Sequence, residues 1–137
     1  MIGTFYGKTT SRYFSVDADL ERFVDTLPAR AQVTISGTVA YLNEPGRGVA
    51  LPVYAYVHGG VALCATTTPR GQFTCPWDAG LAGIVYAPRE AICNHYGVKR
   101  LTRQLREHVL AKLAQEMELR ADRINGYDEE WEDDEQD

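Results

Sequence analysis

TRQLREHVLAKLAQEMELRADRI, residues 102–124, decides how the rest of this chain is read. Leu105, Val109, Leu113, Met117 and Ala121 recur in it at every fourth position, with Leu110 and Ile124 beside the stripe. That period predicts a long amphipathic helix with one apolar face. Thr102 is placed to cap its start and Gly126 to close it. The reciprocal glutamate of a capping box is missing, because Leu105 stands at its position. The outer face is expected to carry Arg103, Arg106, Glu107, Lys112, Glu116, Glu118, Arg120, Asp122 and Arg123, several in opposite-sign pairs at helical spacing.

Upstream of this helix the chain offers β-rich runs. Leu51–Val57 and Val61–Thr67 flank His58-Gly59-Gly60, and a short glycine-containing connection between such runs predicts a hairpin. Gly83–Ala87 reads as a further short strand. Across Gln32–Leu42, Val33, Ile35, Val39 and Tyr41 alternate with small or polar residues, so that stretch reads as a half-buried strand with Gly37 as a bulge. Between the runs, Asn43–Gly48 is a turn and Pro69–Gly80 a loop by composition. Pro88 suits the first turn of a helix over Arg89–Tyr96, which Gly97 terminates. Near the N-terminus, Leu20, Phe23, Val24 and Leu27 share one face of a short helix over Asp17–Leu27, capped by Ser15 or Asp17 and ended by Pro28. The expected architecture is α+β: an antiparallel sheet of about four strands packed against a long C-terminal helix, with a short N-terminal helix.

With 137 residues, one domain is expected over 1–126, able to bury roughly two thirds of its unfolded surface. The net charge of −5 hides an asymmetry. Residues 128–137 hold eight of the nineteen acids and no base, leaving fourteen bases against eleven acids elsewhere, a net of +3. Such an acidic block, here 127–137, is expected to stay disordered, because like charges repel and little apolar surface offsets the ordering entropy. No run of about eighteen apolar residues predicts a membrane span. The start, Met1-Ile2-Gly3-Thr4-Phe5-Tyr6-Gly7-Lys8, has no secretory pattern. Cys64, Cys75 and Cys93 then read as reduced thiols of a cytoplasmic protein.

Little in the chain spells out catalysis. The cysteines are separated by ten and seventeen intervening residues, a spacing that fits no zinc finger or ribbon, and no metal site or other cofactor is expected. Cys75 has no base or oxyanion site in a recognisable arrangement, so no catalytic residue is assigned. Glu44-Pro45-Gly46-Arg47-Gly48 lacks the Lys-Ser/Thr and following helix of a phosphate cradle. Three features remain. Trp77-Asp78 can be a structural plug in a tight turn or the lip of a partner-binding pocket. Lys99, Arg100, Arg103 and Arg106 gather at a helix start, where they read either as ordinary surface charge or as a grip for phosphate or an acidic partner. Trp131 amid acids is a solvated end or an aromatic anchor.

The stretch Cys75-Pro76-Trp77-Asp78-Ala79-Gly80, followed by Tyr86 and by Tyr96-Gly97-Val98-Lys99-Arg100-Leu101-Thr102, resembles a family of small proteins of bacteriophages and other mobile elements. Members share a Cys-Pro-Trp-Asp-Ser-Gly-like loop and a Tyr-Gly-x-Lys-Arg-x-Thr helix start, and no chemistry is assigned to them. The likeness runs from Leu51-Pro52-Val53-Tyr54 to Gly126. Two places depart from it: Ala79-Gly80-Leu81 replaces a Ser-Gly-Gln-like run, and Asn125-Gly126-Tyr127 leads into the acidic block. The resemblance implies an accessory protein at work in a bacterial host cytoplasm. It suggests a non-enzymatic inhibitor that docks on a host protein complex such as a CRISPR or restriction system. Trp77, Asp78, Lys99, Arg100, Arg103, Arg106 and Trp131 are the expected partner-binding residues. Direct nucleic-acid binding is not expected from four bases without a recognised motif. The alternatives are a small-molecule or nucleotide binder, with or without hydrolytic activity, using the Cys75–Asp78 loop, and a nucleic-acid-binding regulator using the basic helix start.

Overall fold

A computed structural model describes residues 1–9, 14–57, 61–65 and 80–124. Five strands form one mixed sheet in the order β2-β1-β5-β3-β4: β1 Thr4–Gly7, β2 Ala18–Asp19, β3 Gly48–Val57, β4 Val61–Ala65 and β5 Gly80–Pro88. The fold is α+β, as the sequence predicts, but the sheet is not purely antiparallel. β1 runs parallel to the two-residue β2, with Tyr6 opposite Ala18. β1 is not legible in the sequence, because four residues are too few to show a period, and the two-residue β2 falls inside the stretch expected to be helix.

β3 and β4 form the expected hairpin, from Val53↔Ala65 to Val57↔Val61, and its tip lies outside the described residues. β5 joins the middle of the sheet, antiparallel to both β1 and β3. Close approach of β1 to β5 requires Gly83, since a Cβ there would run into the Tyr6 carbonyl oxygen.

The long helix, α4 (Arg103–Ile124), lies across one face. Val109, Leu113 and Met117 are fully buried and Ala121 nearly so, against Phe5, Val49, Leu51, Val53 and Val85 of the sheet. Burying each of the larger side chains contributes about 1.5–3 kcal/mol. Thr102 caps α4, its Oγ1 accepting from the Leu105 N–H at 3.1 Å. Two residues expected on the outer face turn inward instead. Glu116 is 3 % exposed and accepts from the Ile2 and Gly3 N–H groups at 2.9 and 3.1 Å. Arg120 forks onto Asp17 at 2.8 and 3.0 Å, its guanidinium 5.3 Å from the Phe5 ring centre. Helical spacing alone put them outside; the N-terminal strand, unread in the sequence, wraps over that side of the helix.

The opposite face is covered by α1 (Leu20–Asp25), a 3-10 turn at Ala29–Ala31 and α2 (Ile35–Leu42). The expected strand over Gln32–Leu42 is therefore wrong. Ile35 and Val39 fit both the alternation and a helical spacing, whereas Leu42, three residues after Val39, fits only the helical one, and the helical period wins. The Thr34 hydroxyl accepts from the Gly37 N–H at 2.9 Å, a side-chain cap that starts the helix and leaves Gly37 no part in a bulge. Val33 falls before the cap and is exposed. α1 begins later than predicted, because Asp19 rather than Ser15 or Asp17 caps it by accepting from the Arg22 N–H. Asp17 is occupied elsewhere, accepting from the Phe5 N–H at 2.9 Å. The last short helix, α3 (Arg89–Tyr96), follows Pro88 and ends at Gly97 with φ +67°, a left-handed geometry that glycine adopts without strain.

Candidate functional site

Four of the expected partner-binding residues come together at one end of the sheet. Gly48 pairs with Pro88, so the start of β3 sits beside the end of β5 and the first turn of α3. The Arg89 N–H donates to the Arg47 carbonyl at 2.9 Å, which fixes α3 against the α2–β3 turn. The Tyr86 hydroxyl reaches the same carbonyl at 2.9 Å, and burial pushes its pKa up. The 97–102 connection then brings α4 back with its N-terminus beside that of α3. A cleft of about 520 Å³ opens between these segments, lined by Asn43, Pro45, Gly46, Arg89, Arg100, Leu101, Arg103 and Arg106.

The four arginines are held differently. Arg106 is half-buried; its Nη1 donates to the Gly48 carbonyl at 2.9 Å and approaches Asn43 Oδ1 at 3.4 Å. Asn43 is itself pinned, donating to the Val39 and Ala50 carbonyls and accepting from the Ala50 N–H. Arg89 Nη2 donates to the Lys99 carbonyl at 3.3 Å. Arg100 and Arg103 are exposed and meet no carboxylate among the described residues, and neither does Lys99. Glu44, in the α2–β3 turn, is engaged by Arg30 and Arg47, which stack over the Tyr41 ring at 4.8 and 3.9 Å from its centre. Arg30 chiefly, and Arg47 after it, hold the Glu44 carboxyl down at about 2.

The first turn of α4 carries no acid. Helix N-termini are positive and favour carboxylates, so Arg103 and Arg106, with Lys99 and Arg100 just ahead, add cations where the helix field already repels them. Each such placement costs about 0.3–1 kcal/mol at an exposed position. An anion in the cleft removes that repulsion and meets guanidinium donors and backbone N–H groups together.

A second groove, of about 530 Å³, shares Asn43 and Arg106 with the cleft and is mostly apolar, lined by Ile35, Val39, Leu51, Pro52, Tyr54 and Leu110 among others. Arg106 thus stands between a cationic and an apolar depression.

Arg89 and Asn43 were not singled out in the sequence. The Pro88-Arg89 step is a readable helix start, but only the Gly48↔Pro88 register brings it to the α4 cluster. Trp77, Asp78 and Trp131 lie outside the described residues, as does Cys75. Among the described residues no three His, Cys, Asp or Glu side chains gather to hold a metal ion, and no helix is long and apolar enough to cross a membrane. Cys93 is buried in α3 while His95, two residues on, is exposed, so these two side chains do not share a face of the helix.

The class defined by fold and site is a small α+β protein with an arginine-lined cleft at the end of a mixed sheet, its described lining residues including no carboxylate. No protein-family model, curated protein or solved structure matches the chain.

Proposed function

We propose that this is a non-enzymatic binding protein that captures an acidic segment of a protein partner in the Arg89–Arg100–Arg103–Arg106 cleft. The observation that carries this reading is the set of cations Lys99, Arg100 and Arg103, which have no carboxylate partner among the described residues, on the positive end of α4. A local arrangement that opposes folding is expected at functional sites, where the missing counter-charge comes from a ligand.

A peptide carboxylate partner fits better than nucleic acid. The chain is net negative, the free cations are few, and the neighbouring groove offers apolar surface to side chains flanking the acids. The resemblance of the Cys75–Gly80 loop and of Tyr96–Thr102 to small phage and mobile-element proteins supports the setting: a host protein complex, in particular a defence system, inhibited by occupation of its acidic surface.

The test compares the tagged full chain with an Arg100→Glu/Arg103→Glu variant in nuclease-treated bacterial lysate. A stoichiometric complex retained by the wild type, lost by the variant and inhibited by the purified protein supports the reading. Equal retention, or a captured complex whose activity is unchanged, contradicts it. Recovery of nucleic acid in place of protein, when nuclease is omitted, assigns the cleft to phosphates.

A further inference from the structure

The same cleft has a candidate occupant within the chain. Residues 128–137 contain eight carboxylates and no base, while the cleft contains four guanidiniums and, among its described lining residues, no carboxylate. The two are complementary in charge, and geometry limits which acids can reach. Arg106 and Arg103 precede Ile124 by eighteen and twenty-one residues of α4. At 1.5 Å per helical residue these lie about 27 and 31 Å from the helix end. An extended chain covers at most about 3.4 Å per residue. Asp128, Glu129 and Glu130, four to six residues past Ile124, reach only about 14–20 Å and fall short. Asp133, Asp134, Glu135 and Asp137, nine to thirteen residues past it, reach about 31–44 Å.

We infer that Asp133–Asp137 of the same chain occupies the arginine cleft in the free protein and is displaced when the acidic partner binds. The inference rests on the proposed function for its biological meaning, though the contact itself does not depend on it. Tethering makes the internal acids effective at about millimolar concentration, enough to compete with weak anions and to yield to a partner that also uses the apolar groove. The acidic block then sets a threshold for capture and contributes nothing to the docked complex.

Zero-length carbodiimide coupling of the full chain tests this directly, because the protein has only three lysines: Lys8, Lys99 and Lys112. Lys99 does not line the cleft but directly precedes Arg100, and its carbonyl accepts from Arg89, both cleft residues, so its amine is the lysine amine adjacent to a segment seated there. The expected product is a monomeric species with Lys99 joined to Asp133, Asp134, Glu135 or Asp137, suppressed by about 0.5 M salt through screening. Links spread evenly over the three lysines, or found only in a dimer band, overturn the inference. In parallel, amide replacement of those four acids is expected to tighten binding of a labelled Asp/Glu-rich decapeptide about 3- to 10-fold. Unchanged peptide affinity contradicts the inference while leaving the proposed function standing. Lys99 links together with no peptide binding by either protein contradict the function and leave the intramolecular contact in place.

Discussion

Arg106 on α4 donates through Nη1 to the Gly48 carbonyl at 2.9 Å, and so ties the long helix to the first residue of β3 at the floor of the arginine cleft. Of the cleft's arginines it alone contacts both the sheet and the Asn43 cap of α2. Its role is therefore double: it holds two layers together and presents positive charge between the cationic and apolar depressions.

Arg106→Ala removes one charge-assisted hydrogen bond and leaves the Gly48 carbonyl to find another donor. A loss of about 1–3 kcal/mol in denaturant unfolding is expected, with weakened peptide binding as a second effect. Arg103→Ala, which removes no hydrogen bond among the described residues, is expected to stay within about 0.5 kcal/mol of the wild type. Equal unfolding midpoints for Arg106→Ala and the wild type count against the structural half of this role.

Glu116 sets the N-terminal strand on α4 through the Ile2 and Gly3 N–H groups. Glu116→Ala leaves two partly buried donors without their acceptor and is expected to cost about 2–4 kcal/mol. Glu116→Gln, which keeps one oxygen, is expected to cost less. Hydrogen exchange at Ile2 and Gly3 distinguishes the two cases, with faster exchange in the alanine variant than in the glutamine one. Unaltered exchange in both contradicts the assignment.

The Glu44 carboxyl is held at about 2, below its ordinary 4.5, first by the hydrogen bond from Arg30 and then by that from Arg47. A depressed folded-state value contributes stability above the unfolded pKa and loses it as pH falls through the folded one. The contribution of Glu44 is therefore constant above about pH 5 and disappears towards pH 2. The stability difference between wild type and Glu44→Gln should close over that window. A carboxyl carbon titration with its midpoint near 4.5 refutes the pairing.

The helical parts of the fold were largely legible, and for physical reasons. Val109, Leu113, Met117 and Ala121 announce α4 because a four-residue period over twenty-two residues has no β alternative. Pro88 and Gly97 bracket α3 because each restricts the backbone in its own way. Residues 32–42 misled because Ile35 and Val39 satisfy two periods at once, and the deciding Thr34 cap is a single side chain. β1 could not be read, since a four-residue strand gains its place from Phe5 packing and from Glu116 and Asp17, which are distant in sequence. The site was half legible. Lys99, Arg100, Arg103 and Arg106 are consecutive enough to be noticed, whereas Arg89 joins them only through strand register.

The cleft's preference for acidic peptide is tested most directly by anisotropy titration of a fluorescein-labelled Asp/Glu-rich decapeptide against wild type and Arg100→Glu/Arg103→Glu at low salt. Both side chains are exposed and without ion pairs among the described residues, and acids suit the positive end of α4, so the variant is expected to unfold at the wild-type midpoint or above it. Two charge reversals at roughly 1 kcal/mol each predict about 30-fold weaker binding for the variant, with the gap shrinking as salt rises. Equal affinity of the two folded proteins for the peptide would contradict the account.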